Sequence, residues 1–180
     1  GDILFLSGSI PASMPDDAYQ KIMESLDGKG VRIVVDATRD LLVNVLPYHP
    51  FLIKPNNHEL GEIFGVELKK REEVVPYAKK LQEKGAQNVL VSMAGEGAVL
   101  IAADGTVYDA PAPEGKLVNG VGAGDSMVAG FMAGWMEKQD YEHAFYMGLS
   151  AGSASAFSEN LATREEIEAV YGRAAKKNNE

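Results

Sequence analysis

Cysteine is absent from the 180 residues, which excludes disulfides and thiolate metal sites. No cluster of lysine and arginine is long enough to track a phosphate backbone, and the net charge is −9. A nucleic-acid partner is excluded on that footing. No apolar run reaches membrane-spanning length and no secretory leader is visible, so no membrane partner is expected and the cytoplasm is the expected location. Methionine is missing at position 1, where the chain has Gly1, and an apolar run begins almost at once at Ile3. That opening reads either as a tag remnant before a natural start or as a chain that has lost something upstream. The remaining composition, 46% hydrophobic and 24% charged, is that of one globular domain over residues 1–180 with a substantial core.

Glycine, by contrast, is concentrated near the middle. Residues 117–131 carry Gly120, Gly122 and Gly124 at alternate positions, then Asp125 and a helical run. Met127, Val128, Phe131, Met132, Trp135 and Met136 fall at i, i+1, i+4, i+5, i+8 and i+9, one face of a helix. A glycine-rich loop thus feeds a helix N-terminus, where unpaired N–H groups and the helix dipole favour an anion. Glycine lets the backbone of Gly122, Ala123 and Gly124 approach it closely. Asp125, in the first turn, then faces the anion. This arrangement suits phosphoryl transfer, in which the protein positions groups, stabilises charge and accepts a proton. The alternative is a tightly packed turn in which Asp125 is a cap. The stretch is not a Walker loop, since no Gly-Lys-Ser/Thr follows, and it is a poor G-x-G-x-x-G.

The rest of the chain alternates strands and helices. Residues 2–6 read as a strand, 7–11 as a turn, 15–26 as a helix ended by Asp27-Gly-Lys-Gly30, and 31–36 as a strand. A short helix over 41–46, broken by Pro47 and Pro50, precedes a strand over 51–54. Asn56 caps a helix ending at Gly65, and Glu59 three residues on completes a cap-like box. A helix over 72–84 has a solvated charged face and tolerates Pro76 in its first turns. Residues 88–92 form a strand, 93–97 a glycine turn, and 98–102 with 106–109 a hairpin about Asp104-Gly105. Residues 141–157 are rich in Ala, Gly and Ser, which allow close helix packing. Thr163 and Glu166 form a capping box for a last helix, and residues 176–180 are expected to fray. This alternation predicts a parallel sheet covered on both faces, with ligands beyond the carboxyl ends of its strands. Lys54, at such an end, could meet nucleotide phosphates as a point charge.

Gly122-Ala-Gly-Asp125 ahead of an apolar helix resembles the signature of the ribokinase-like carbohydrate kinases, the PfkB family. That signature reads Asp-Thr-x-Gly-Ala-Gly-Asp; Asn119-Gly120 stand here in place of the Asp-Thr pair. The continuation Asp125-Ser-Met-Val resembles the sugar-phosphate branch. The resemblance implies a three-layer α/β/α fold with a mainly parallel sheet, a hairpin and C-terminal helices. It covers the family's later, larger part, so the N-terminal strands and the β-sheet lid have no counterpart.

The resemblance also implies roles. Asp125 takes the proton from the attacking hydroxyl. Asn56 and Glu59 match the family's Asn-x-x-Glu, which helps hold Mg²⁺ on the phosphates. A hard cation that keeps its waters needs little more than one carboxylate. The same two residues are equally explained as a helix cap, and His58 between them as a surface residue. Ser92, Ala94, Gly95, Glu96 and Gly97 match a loop against the nucleotide, although the family form has glycine where Ala94 stands. Ser7 and Ser9 match a turn near the sugar phosphate, or are an ordinary turn. Ser153 borders the adenine, and carbonyls near Asn119, Val121, Ser155 and Ser158 could bind K⁺.

The implied activity is ATP-dependent phosphotransfer to the hydroxyl of a sugar phosphate. Fructose 1-phosphate is the first expectation, with tagatose 6-phosphate or fructose 6-phosphate as alternatives. A reading of another class is a nucleotide-binding module without turnover, since an unclosed site cannot exclude water. An uncovered strand over residues 3–6 would invite self-association, for example as a homodimer.

Overall fold

The computed structural model describes residues 1–11 and 13–174. The fraying expected of residues 176–180 lies outside the described residues. The chain divides into two compact units, Gly1–Met93 with Val99–Asp109, and Ala94–Ala98 with Ala110 onward.

In the first unit, strands β1 (Ile3–Ser7), β2 (Arg32–Asp36), β3 (Leu52–Ile53), β4 (Asn88–Ser92), β5 (Ala98–Ile101) and β6 (Val107–Ala110) lie side by side in sequence order. β1 to β4 are parallel, with Ser7 opposite Asp36, Val35 opposite Ile53, and Ile53 opposite Val89. Parallel neighbours need crossovers. These are α1 (Ala18–Leu26), α2 (Arg39–Val43), and the pair α3 (Asn57–Phe64) and α4 (Arg71–Glu83).

Strand side chains alternate between faces. Ile33, Val35, Ile53, Val89 and Val91 form one core with Met23, Leu42, Leu60 and Leu81 from the helices. Val34, Leu52, Leu90 and Leu100, at the alternate positions, are also fully buried. The sheet is therefore covered on both faces, and the mainly parallel α/β reading stands. Buried Asn88 donates to the Phe51 carbonyl at 2.8 Å and accepts the Ala103 N–H at 2.8 Å, which ties β4 to both neighbouring segments. β1 is an edge strand, and Phe5 is 45% exposed on the face where its partner Val34 is buried.

Two local expectations are corrected. The helix expected over 41–46 is α2 followed by a separate 3-10 turn, Leu46–Tyr48. Pro47 opens that turn instead of breaking a helix, because its missing N–H costs nothing in a first turn. α1 begins at Ala18, not Pro15; a turn closed by Ala18 N–H on the Pro15 carbonyl (3.0 Å) leads into it. Pro76 is tolerated within the first two turns of α4, as expected, at the cost of one helical hydrogen bond, to the Glu72 carbonyl.

The second unit carries α5 (Ala123–Lys138), α6 (Tyr141–Ala156) and α7 (Arg164–Ala174). α5 and α6 pack along a glycine seam. A Cβ on Gly130 would lie 2.5 Å from that of Ala151, and one on Gly148 would lie 2.9 Å from the Met127 carbonyl. The small residues of 141–157 thus serve close approach. The seam also turns the buried stripe of α5: Gly130 and Gly134 are buried, whereas Met136, expected on the buried face, is 67% exposed. His143 fixes α7 to the pair, its Nε2 donating to the Glu137 carboxylate (3.1 Å) and its Nδ1 lying 2.8 Å from the Tyr171 hydroxyl.

The capping boxes predicted at Asn56 and Thr163 both form. Glu166 accepts the Thr163 N–H at 2.7 Å and its hydroxyl at 3.0 Å, and these bonds hold its carboxyl below the ordinary 4.5. A carboxylate lowered in the folded state stabilises above its unfolded pKa and loses that contribution as pH falls through the folded one. Acidification from pH 6 to below 4.5 is therefore expected to loosen the start of α7, read as faster amide exchange there relative to mid-helix α6. Glu166→Gln should abolish the pH dependence; an unchanged profile in that variant would assign the effect elsewhere.

Candidate active site

The first group of predicted residues sits at the carboxyl ends of neighbouring strands. Lys54 follows β3 and Asp36 ends β2; their Nζ and Oδ1 are 3.3 Å apart, and Lys54 is 6% exposed. Lys54 is thus one half of a largely buried ion pair, not an isolated point charge. Asp36 escaped the sequence reading because only the parallel register brings it beside a residue 18 positions on. Removing Asp36 would take the counter-charge from the buried Lys54 ammonium in a low-dielectric site. Beside them, the Tyr19 hydroxyl donates to the Ser7 carbonyl at 2.9 Å. Burial, and then the charge of Asp36, push the Tyr19 hydroxyl up from its ordinary value, so it stays a donor. Ser7 and Ser9 flank the turn at Gly8, all three exposed.

Asn56 and Glu59 are locked to each other. Asn56 Oδ1 accepts the Glu59 N–H and Glu59 Oε2 accepts the Asn56 N–H, both at 2.8 Å. The capping role is present, and it leaves Glu59 Oε1 without a partner among the described residues. Among the described residues there is also no group of three or more acidic or histidine side chains able to hold a metal. That donor set is compatible with a hard cation held chiefly by phosphate and water, for which the free Glu59 Oε1 would be the available protein oxygen. His58 makes no such cluster. The β3–β4 ladder continues through a bridge between Asn56 and Ser92, so the first residues of both motifs are fixed by the sheet.

The turn after β4 is a 3-10 turn, Ala94–Glu96, closed by Gly97 N–H on the Ala94 carbonyl at 3.1 Å. Ala94 has φ +47°, a left-handed conformation that costs a residue with a Cβ about 1–2 kcal/mol. This is the physical reason glycine suits the position. Ala94→Gly is expected to stabilise by about 0.5–1 kcal/mol after glycine's own entropy cost, measured as a higher urea midpoint; a lower midpoint would refute the strain. Gly95 has open space around it, whereas Gly97, at φ +105°, faces the Ala110 carbonyl.

The second group lies at the head of α5. Gly122, at φ +79°, is the N-cap, and no side chain caps the helix. Ala123 N–H is directed to the Gly120 carbonyl at 3.3 Å, and Ser126 N–H to the Gly122 carbonyl at 2.9 Å. The amides of Gly122, Gly124 and Asp125 keep no acceptor among the described residues. The Ala123 amide is the one member of the expected anion hole already engaged. Asp125 is exposed in the first turn, and its carboxylate makes no bond to a described residue. Capping therefore does not account for Asp125.

Residues 117–121 lie against the end of α6. Val118 and Asn119 N–H both donate to the Ala156 carbonyl, at 2.8 and 3.1 Å, and Asn119 Nδ2 donates to the Glu159 carbonyl at 3.2 Å. Asn119, Val121, Ser155 and Ser158 are thus brought together, while Ser153 is half-buried one turn from the end of α6. A separate cavity of about 590 Å³ in the first unit, lined by Arg39, Glu62, Phe64 and Lys84 among others, contains none of the predicted site residues.

Residues 1–168 match the pfkB family carbohydrate kinase model. The 1-phosphofructokinase of Bacillus subtilis is 52% identical over 168 residues, which are 93% of this chain and 55% of that protein. The D-tagatose-1-phosphate kinase of Bacillus licheniformis is 36% identical over 162 residues, 89% of this chain and 53% of that one. Phosphofructokinase-2 from Escherichia coli, solved with substrates and products, superposes with a TM-score of 0.89 at 28% identity, over 97% of this chain and 58% of that one. A potassium complex of the same enzyme gives 0.88 at 27% identity, over 96% and 57%. The chain spans about half the length of the curated relatives it matches. Among the described residues no helix is long and apolar enough to cross a membrane. With its glycine loop, its capped Asn-x-x-Glu turn and a match over residues 1–168, the chain belongs to the pfkB family of carbohydrate kinases.

Proposed function

We propose that the whole protein is a cytoplasmic kinase transferring the γ-phosphoryl group of ATP to fructose 1-phosphate, with residues 1–180 as the nucleotide-binding portion of its ribokinase-like domain. The observation that carries this reading is the head of α5, where the amides of Gly122, Gly124 and Asp125 and the exposed Asp125 carboxylate are uncommitted. The Bacillus subtilis relative, a 1-phosphofructokinase at 52% identity, supports the choice of sugar.

In the reaction the 6-hydroxyl of the sugar attacks the γ-phosphorus. The new P–O bond forms as the bond to the β-phosphate oxygen breaks, and ADP departs. Asp125 accepts the hydroxyl proton, and the free amides receive charge on the transferring phosphoryl. Lys54 and residues 92–97 hold the nucleotide, Ser153 borders its base, and Ser7 and Ser9 face the sugar phosphate. Bound Mg²⁺, contacted through Asn56 and Glu59, supplies charge screening. Carbonyls near Asn119, Val121, Ser155 and Ser158 form a monovalent-cation site, a reading supported by the potassium complex of the Escherichia coli neighbour.

A coupled ADP-release assay on the full-length protein with a panel of sugar phosphates tests the proposal. Turnover preferring fructose 1-phosphate is expected. Preference for a tagatose phosphate would move the assignment toward the Bacillus licheniformis relative. Nucleotide binding with no product from any sugar would leave a binding module and overturn the kinase reading.

A further inference from the structure

The start of α5 is held by a side chain far from it in sequence. Ser155, in the last turn of α6 and 2% exposed, donates its hydroxyl to Ser126 Oγ at 2.8 Å and accepts the Ala162 N–H at 3.0 Å. Ser126 immediately follows Asp125 in the first turn of α5. Ala162 follows Leu161, whose Cδ2 would stand 2.6 Å from a Cβ on Gly122. One buried hydroxyl therefore joins the first turn of α5, the last turn of α6 and the segment backing the N-cap glycine. Close approach at Gly152, where a Cβ would lie 3.0 Å from the Ala123 carbonyl, sets the helices near enough for so short a side chain to bridge them.

The same helix provides a control. Ser150 is fully buried, and its Oγ has no hydrogen-bond partner among the described residues. Two buried serines five residues apart thus differ in their wiring: Ser155 is bonded to α5 and to Ala162, and Ser150 to no described residue.

We propose that Ser155 is a positioning residue, which through Ser126 and Ala162 fixes the orientation of the Gly122–Asp125 turn. A buried hydroxyl satisfied on both sides specifies one geometry, whereas a methyl in its place would leave Ser126 and the Ala162 amide to find other partners. The catalytic consequence rests on the kinase reading above, but the structural consequence does not.

The decisive experiment compares Ser155→Ala with Ser150→Ala by amide exchange on the full-length protein. In Ser155→Ala the Ala123, Ser126 and Ala162 amides should exchange faster, on the order of five- to tenfold, the effect of one lost hydrogen bond. In Ser150→Ala they should be unchanged. In the full-length enzyme Ser155→Ala should lower kcat on the order of five- to tenfold while nucleotide KM stays within about twofold. Adding Ser126→Ala should then do little more, because the two hydroxyls act as one unit. Unchanged exchange in Ser155→Ala, equal effects of the two serine variants, or additive losses in the double variant would each overturn the proposal. If the wild-type enzyme phosphorylates no sugar, the kinase reading fails and the exchange comparison alone decides the positioning role.

Discussion

Asp125→Asn in the full-length protein is expected to lower kcat by about 10²–10⁴, the range for a general acid–base group. At about 1.4 kcal/mol per tenfold, that removes roughly 3–5 kcal/mol of transition-state stabilisation. Asparagine preserves size and can still donate and accept hydrogen bonds, but it cannot take a proton at neutral pH. Stability should change little. The Asp125 carboxylate caps nothing in the structure, so its loss removes only the favourable placement of a negative charge near the α5 N-terminus, worth about 0.3–1 kcal/mol. Single-turnover kinetics with a nucleotide-binding measurement separates the steps: affinity within a few-fold, chemistry slowed. Near wild-type turnover in Asp125→Asn would refute the base assignment.

Gly97→Ala should be the most damaging glycine substitution in the loop after β4. A Cβ at Gly97 would lie 2.1 Å from the Ala110 carbonyl oxygen and 2.7 Å from the Ala112 nitrogen, at φ +105°. All of these are backbone atoms, which no side-chain rotation can move aside. The turn would have to open, giving up the Gly97 N–H bond to Ala94. A loss above about 4 kcal/mol is expected, the range reserved for such overlaps. Gly95→Ala is the matched comparison: nothing lies within 4 Å of its Cβ position, and the effect should stay within about 0.5 kcal/mol. Chemical denaturation of both variants tests the point, and equal losses would refute the steric account.

The contrast between Gly95 and Gly97 marks where sequence reading ends. Both are legible as turn glycines after an apolar strand. Which of them is sterically required depends on the Ala110 carbonyl, 13 residues away in sequence, and no local rule reaches that far. The same limit hides Asp36 behind Lys54, and the left-handed backbone behind Ala94. What is legible is what local chemistry settles. β4 falls at 88–92 as predicted because a continuous apolar run ends abruptly in a turn. The caps at Asn56 and Thr163 form because donor, acceptor and a three-residue spacing suffice. The errors are of the converse kind. Pro47 is a poor guide to where α2 ends because a proline that stops one helix can equally open a 3-10 turn. Met136 leaves the buried stripe because α6 approaches α5 along glycines, which have no side chain for a hydrophobic count to register.

The strand order of the sheet bears on how the molecule is made. Because β1 to β6 lie in the order in which they are synthesised, each strand leaving the ribosome finds its partner already present, one connection behind it. None of the pairings among these six strands waits for a distant stretch of chain, so each closes a comparatively short loop at modest entropic cost. Within this run of six, each strand after β1 can therefore pair with the one made just before it as translation proceeds.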